Sequence, residues 1–306
     1  MSPTLPGRRR ILRRVLVLVL LAIFVLYLVL PAALGIFAVL PLREEVGAPP
    51  EGFREVTLTS DDGIVLEAWY APPDNGAAIV LIHGAGASRE AVRPYAAMLA
   101  RHGYGVLALD LAGHGGSGGP TNRFGWGGTR DVGAAVEFLE AQEGVDAIGG
   151  MGLSLGGEVL LGAASEYPQV RAIVADGATQ RSVEELHALE SERPLYRSFT
   201  ARVLYGVVQI ASGTAPPEPL LDSMAAAEST GFLLIAGGNV PQEVAFNEVF
   251  TRTAGERAQL WVAPDAGHTG AFGRHPAGYE ERVIAFFDTA LLSGPGEEEA
   301  TGTGSA

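Results

Sequence analysis

The sequence predicts an α/β fold with a mostly parallel sheet, and three observations carry that prediction. Short runs rich in Val, Ile, Leu and Ala alternate with longer stretches of helical periodicity through most of the chain. Several short runs, AAIVLIH and YGVLALD among them, are apolar up to their last residue, as strands buried on both faces of a sheet are. The 306 residues are 47% apolar, which suits one large domain with a sizeable core and appendages.

The elements follow in order. At the amino terminus Arg8, Arg9, Arg10, Arg13 and Arg14 precede an apolar run from Val15 to Leu30, continued past Pro31 by AALGIFAVL. About 20 apolar residues suffice to cross a bilayer, so residues 1–44 read as an Arg-rich cytoplasmic stub and a membrane anchor. The Arg cluster places the amino terminus inside and the body outside. A cleaved signal peptide is the alternative, although the run is long for one and no clear A-x-A site follows it.

Residues 45–292 form the folded body. After GAPPEG, the alternating runs REVTLTS and GIVLEAWY flank Asp61-Asp62-Gly63, a hairpin signal. AAIVLIH predicts a buried strand, REAVRPYAAMLARHG a helix ending at Gly103, and YGVLALD a further strand. TRDVGAAVEFLEAQ is amphipathic, with Val132, Ala135, Val136 and Leu139 on one face. VDAIGGMG and VRAIVAD predict strands either side of the helix GGEVLLGAASEY. GFLLIAGG, a helix from about Pro241, AQLWVAP and a last helix through YEERVIAFFDTALL complete the body. Residues 177–230 form an insert of helical character, and 293–306 read as a disordered acidic tail.

Composition removes several chemistries. With no cysteine there is no disulfide, thiol nucleophile or thiolate metal site. All 21 basic residues are arginine, so Schiff-base lysine chemistry is absent too. The net charge of −14, with five arginines confined to the amino-terminal cluster, leaves a strongly acidic body that argues against nucleic acid as a partner.

The stretch GGMGLSLGG places Ser154 in a Gly-x-Ser-x-Gly pattern, after a predicted strand and before a predicted helix. That is the context of a nucleophile elbow, where a sharp turn presents the serine hydroxyl. A second match, Gly115-Gly-Ser-Gly-Gly119, lies in a glycine-rich loop with no helix directly behind it, so Ser117 reads as a decoy.

Taken in order, His83-Gly84-Ala85-Gly86, Asp110-Leu-Ala-Gly-His-Gly-Gly-Ser117, Asp131-Val132, Gly152-Leu-Ser-Leu-Gly156 and Gly267-His268 resemble the α/β-hydrolase superfamily over roughly Phe53 to Leu292. Within it, the arrangement looks like the serine-aminopeptidase and lysophospholipase-like branch, membrane-anchored bacterial members included. The resemblance implies the α/β-hydrolase fold, with residues 177–230 as a helical cap. It implies Ser154 as nucleophile, His268 as base, and the amides of Ala85 and Leu155 as an oxyanion hole. His83, His114 and Asp110 then hold loops in shape. His102, at a helix end, His187, in the cap, and His275, before the last helix, are less well placed than His268.

The triad acid departs from the family pattern, which has an aspartate after the strand matching GFLLIAGG. Here the chain reads Gly237-Gly-Asn-Val-Pro-Gln-Glu243. Glu243 is the nearest carboxylate and glutamate serves in such triads, although a first-turn helix residue favoured by the dipole has the same address. Asp176 is the alternative acid, ahead of Asp222 and Asp265, while Asn239 serves only the start of the helix that follows. In the cap, Tyr196, Phe199, Val203, Val207 and Ile210 recur at helical spacing, as an apolar wall for substrate or as ordinary packing.

The expected activity is hydrolysis of a carboxylic ester, or of a thioester or amide, through an acyl-enzyme, without cofactor or metal. The expected partners are a small or lipid-like acyl substrate and the membrane. Aminopeptidase-like activity is the first alternative. A non-catalytic surface protein on the same scaffold is a second, and a cofactor-free haloperoxidase or dehalogenase a third, the latter opposed by serine where an aspartate nucleophile is needed.

Overall fold

The computed structural model describes residues 6–189 and 195–293, so the acidic tail expected at 293–306 lies, from residue 294, outside the described residues. Eight strands form one sheet: β1 (Arg54–Thr59), β2 (Val65–Ala71), β3 (Ala77–Ile82), β4 (Gly105–Leu109), β5 (Ala147–Leu153), β6 (Val170–Asp176), β7 (Gly231–Gly237) and β8 (Ala258–Ala263). Their order is β1-β2-β4-β3-β5-β6-β7-β8. β2 runs antiparallel to β1 and β4, and every later pairing is parallel.

The patterns behind this are local. Thr59 pairs with Val65 across the Asp61-Asp62-Gly63 turn, whose Gly63 takes a φ of +79°. β1 lies at the sheet edge and alternates exposed with buried residues, whereas all six residues of β3 are buried. Successive β3 side chains serve opposite faces. Val80 and Ile82 join the core beneath the helices Gly128–Glu140 and Leu155–Ala163, while Ile79 and Leu81 join the core beneath Arg93–Arg101 and Pro276–Phe287. Truncating a residue such as Leu81 to Ala would cost about 2–5 kcal/mol.

The insert after β6 holds the helices Val183–Leu189, Leu195–Ser212 and Leu220–Ala226. Its root is fastened by buried charge. The Glu185 carboxylate accepts hydrogen bonds from the amides of Arg181, Ser182 and Leu220. The Arg181 guanidinium donates to the Glu218 carbonyl at 2.9 Å and lies across Gly162, where any side chain would collide with it.

The amino-terminal run is helical over Pro6–Phe24 and Leu30–Ala38, joined by a π-turn at Val25–Val29. Pro31 accounts for the turn: it has no N–H to give the Tyr27 carbonyl, and the ladder slips so that the Leu30 N–H donates to Val25, five residues back. Residues Arg9–Ala38 are together long and apolar enough to cross a membrane. The segment that follows is stitched to the body. Leu42 exchanges backbone hydrogen bonds with Gly113 and Gly115, while Asn122 binds the carbonyls of Val39 and Leu40.

Candidate active site

The serine turn is built by steric necessity. Ser154 adopts φ 49° and ψ −114°, a left-handed conformation that a non-glycine residue holds only when its surroundings impose it. The imposing contacts are at the flanking glycines. A Cβ on Gly152 would sit 2.2 Å from the Gly156 carbonyl carbon, and one on Gly156 would sit 2.5 Å from the Ile82 carbonyl oxygen. The Ser154 amide donates to the Asp176 carbonyl at 2.7 Å, tying the turn to the end of β6. Ser117, by contrast, is fully buried: its hydroxyl donates to the Asp110 carbonyl at 2.6 Å and accepts from the Glu67 amide at 2.8 Å. It pins a loop.

His268 sits on the loop after β8, with its Nε2 2.9 Å from the Ser154 hydroxyl. Its Nδ1 is hydrogen-bonded to the Glu243 carboxylate. That carboxylate, 1% exposed, also accepts the Gly237 amide at 2.9 Å, where β7 ends. The hydrogen bond and charge of Glu243 raise the His268 pKa above its ordinary value, against a smaller opposing effect of burial. The imidazole edge that meets Ser154 remains open, the side chain being 52% exposed.

Two residues with no sequence signal for the site support this arrangement. Asn247, one helical turn beyond Glu243, donates from Nδ2 to the carbonyls of Glu243 and Ala178, locking the helix Pro241–Ala254 to the loop after β6. Gly177 (φ +73°) lies under the His268 ring, where a Cβ would come within 3.2 Å of Cε1 and Nδ1.

The other acids lie elsewhere. Asp176 ends β6 fully buried and accepts a hydrogen bond from the Tyr279 hydroxyl at 3.0 Å. Burial pushes its pKa up to about 7, with the nearby Glu243 charge adding to the rise. Asp222, in the helix Leu220–Ala226, and Asp265 are exposed. Asn239 precedes the helix N-cap, which is Val240, and its amide donates to the Ala266 carbonyl at 2.9 Å.

The loop after β3 lies against the serine turn: a Cβ on Gly84 would touch Ser154 Cβ at 3.5 Å. Ala85 follows in an exposed turn. Leu155 opens the helix Leu155–Ala163, so its N–H has no partner in the preceding turn of that helix. His83 braces the loop, donating from Nδ1 to the Gly84 carbonyl at 2.8 Å and accepting the Leu111 amide on Nε2 at 3.2 Å. Burial lowers the pKa of both His83 and His114 to about 4, so both are neutral near pH 7. Asp110 accepts hydrogen bonds from the backbone and guanidinium of Arg89 and from the Gly116 amide. Among the described residues no cluster of His, Asp and Glu suits a metal.

The cap helix departs from ordinary packing for part of its apolar repeat. Tyr196, Phe199 and Ile210 are 51%, 50% and 85% exposed and so are not buried in the cap. Val207 instead meets Gly35 of the amino-terminal helix, where a Cβ would come within 3.1 Å of the valine side chain.

Comparison with known proteins agrees with this architecture. Residues 77–220 match the family model described as the alpha/beta hydrolase fold. An uncharacterised protein of Mycobacterium tuberculosis (strain ATCC 25618 / H37Rv) is 29% identical over 236 residues, 74% of this chain and 76% of its own length. A thiohydrolase of Aspergillus aculeatus is 34% identical over 134 residues, which span 40% of this chain and 41% of that protein. Among solved structures, an esterase of Pyrococcus furiosus superposes with a TM-score of 0.66 at 24% identity, covering 82% of this chain and 99% of the esterase. The strand order, the family-model match over residues 77–220 and these likenesses show that the chain has the α/β-hydrolase fold.

Proposed function

We propose that the protein is a membrane-anchored serine hydrolase that cleaves a carboxylic ester, with thioester and amide as related substrates. The observation that carries this reading is the continuous hydrogen-bonded line from Glu243 through His268 to Ser154, ending on a strained serine at the carboxyl edge of the sheet.

In this reading Ser154 Oγ attacks the acyl carbonyl while His268 Nε2 takes its proton. Glu243 holds the imidazole with its proton on Nδ1 and balances the positive charge that forms on the ring. The amides of Ala85 and Leu155 face the oxygen that becomes negative, an arrangement able to lower the barrier by several kcal/mol (about 3–4 per donor in a related site). The tetrahedral intermediate collapses as His268 returns the proton to the leaving oxygen, leaving an acyl-Ser154 ester. Water, deprotonated by the same ring, then releases the acid. The reaction calls for no metal or organic cofactor.

The anchor is the helix Arg9–Ala38, with the Arg cluster on the cytoplasmic side and the body outside. The esterase and thiohydrolase names among similar proteins favour acyl-oxygen or acyl-sulfur cleavage over peptidase activity. Purified protein assayed on p-nitrophenyl esters of graded chain length and on aminoacyl anilides should hydrolyse the esters preferentially, with Ser154→Ala inactive. Preferential anilide cleavage would establish the aminopeptidase reading, and no turnover on either, with Ser154 unreactive, would establish the non-catalytic one.

A further inference from the structure

The last third of the amino-terminal helix and the cap helix run side by side. Tyr27 meets Tyr196 edge-on with ring centroids 6.1 Å apart. Gly35 lets the helices touch, since a Cβ there would come 2.8 Å from the Leu204 carbonyl oxygen. Val39 closes the contact in a buried cluster with Val208 and Trp126. As the numbers rise on one helix they rise on the other, so the two are parallel over about 18 Å, at a rise of about 1.5 Å per residue. The contacting positions Tyr27, Pro31, Gly35 and Val39 form one stripe, and Leu28, Leu34, Ile36 and Phe37 on the other sides remain exposed.

This register fixes the cap relative to a bilayer. Counting about 20 apolar residues from Val15, the hydrocarbon span closes near Leu34. Tyr27 and its partner Tyr196 then lie about 10 Å inside that boundary, the depth typical of an interfacial helix. The half-exposed Tyr196 lies against Tyr27 of the anchor, and the half-exposed Phe199 follows it by one turn on the cap helix. Arg197 and Arg202 are exposed on the same helix and have stems long enough to keep their charge at headgroup level.

The same packing leads to the serine. Tyr205 of the cap helix stacks on Trp126 at 6.0 Å and meets Phe124 edge-on at 5.8 Å. Beside them Gly125 is pressed against Leu155, next to Ser154, where a Cβ would lie 2.4 Å from Leu155 Cδ1. An apolar chain of contacts therefore runs from the outer end of the anchor to the turn that carries the nucleophile.

We propose that the first turns of the helix Leu195–Ser212 are inserted in the outer leaflet and that the substrate is a long-chain acyl-ester lipid drawn from that leaflet. The lipid carbonyl reaches Ser154 past Phe124 and Leu155 while its acyl chain stays directed toward the membrane. The proposal rests on the reading of Ser154 as nucleophile and of Arg9–Ala38 as the anchor.

Because the chain has no cysteine, single reporters can be placed cleanly. Full-length Phe199→Cys and Tyr196→Cys, labelled with an environment-sensitive dye in phosphatidylcholine–phosphatidylglycerol vesicles, should be quenched by nitroxide-bearing lipids and shielded from aqueous iodide. Glu143→Cys, exposed in the loop before β5 at the amino ends of the parallel strands, should show the reverse. In parallel, the double variant Tyr196→Asp, Phe199→Asp should lose at least ten-fold in hydrolysis of a vesicle-embedded long-chain ester. On a water-soluble short-chain ester it should stay within two-fold of the parent. Iodide-accessible labels at both cap sites, or equal rates of parent and double variant on the vesicle substrate, would overturn the proposal. An equal loss on both substrates would mark cap damage and leave the decision to the single-site labels. A parent protein inert on both esters would refute the hydrolase reading and the lipid substrate with it, and the labels would still report the depth of the cap.

Discussion

Replacing Glu243 by Gln keeps the length and shape of the side chain and removes its charge. In the folded protein each of the two carboxylate oxygens accepts an N–H, one from His268 Nδ1 and one from the Gly237 amide. An amide group can accept only one of these. If its oxygen stays on Gly237, its NH2 faces His268 and forces the ring proton onto Nε2, the atom that receives the serine proton in the proposed mechanism. If its oxygen stays on His268, two N–H groups oppose each other at Gly237. Either outcome also leaves the imidazolium of the transition state uncompensated in a site where the acid is buried. By analogy with the Asp-to-Asn change in serine proteases, kcat should fall by up to about 10⁴, or about 5 kcal/mol, with KM nearly unchanged. A second signature is in the pH profile. Glu243 raises the His268 pKa, so the acid limb of kcat/KM should move to lower pH in the variant. Steady-state hydrolysis of a p-nitrophenyl ester between pH 5 and 9 measures both. A loss of less than ten-fold with an unmoved acid limb would refute this assignment of the acid.

Three further outcomes are expected. Asp176→Asn should retain the Tyr279 contact and turnover within a few-fold of the parent. Because its folded-state pKa is raised from 3.8 to about 7, Asp176 contributes stability that is full below pH 3.8 and lost as pH rises through 7, and thermal melts of the variant should lack that component. Gly177→Ala places a methyl under the His268 ring at a positive φ, so kcat should drop by up to about 10² while the melting temperature falls only a few degrees. Protease added to intact spheroplasts should digest the body, and protection there with digestion only after lysis would reverse the proposed orientation.

Much of the architecture was legible because it is encoded locally. The all-apolar run of β3 marks burial on both faces, and Asp61-Asp62-Gly63 marks a hairpin, whatever the rest of the chain does. Ser154 was separable from Ser117 because only the former has a strand before it and a helix behind it. Glu243 is readable as the first carboxylate after β7, and its place in the first turn of the helix Pro241–Ala254 agrees with the dipole argument and with the contact to His268 together. Gly177 under the imidazole and Asn247 behind the acid were not legible, since their roles depend on which loops meet at the sheet edge. The pairing of Tyr27 with Tyr196 and of Gly35 with Leu204 joins segments about 170 residues apart in sequence. Helical periodicity marks an apolar face on each helix and carries no information on which surface covers it.

The claim on which the rest depends is that Ser154 is a nucleophile activated by His268. Incubating the full-length protein with a fluorophosphonate and mapping the adduct by peptide mass spectrometry tests it directly. A single covalent phosphonate on Ser154 is the predicted result, abolished in Ser154→Ala, strongly slowed in His268→Ala, and unchanged in Ser117→Ala. A folded protein that carries no adduct, or one whose adduct survives Ser154→Ala at another residue, would contradict the account.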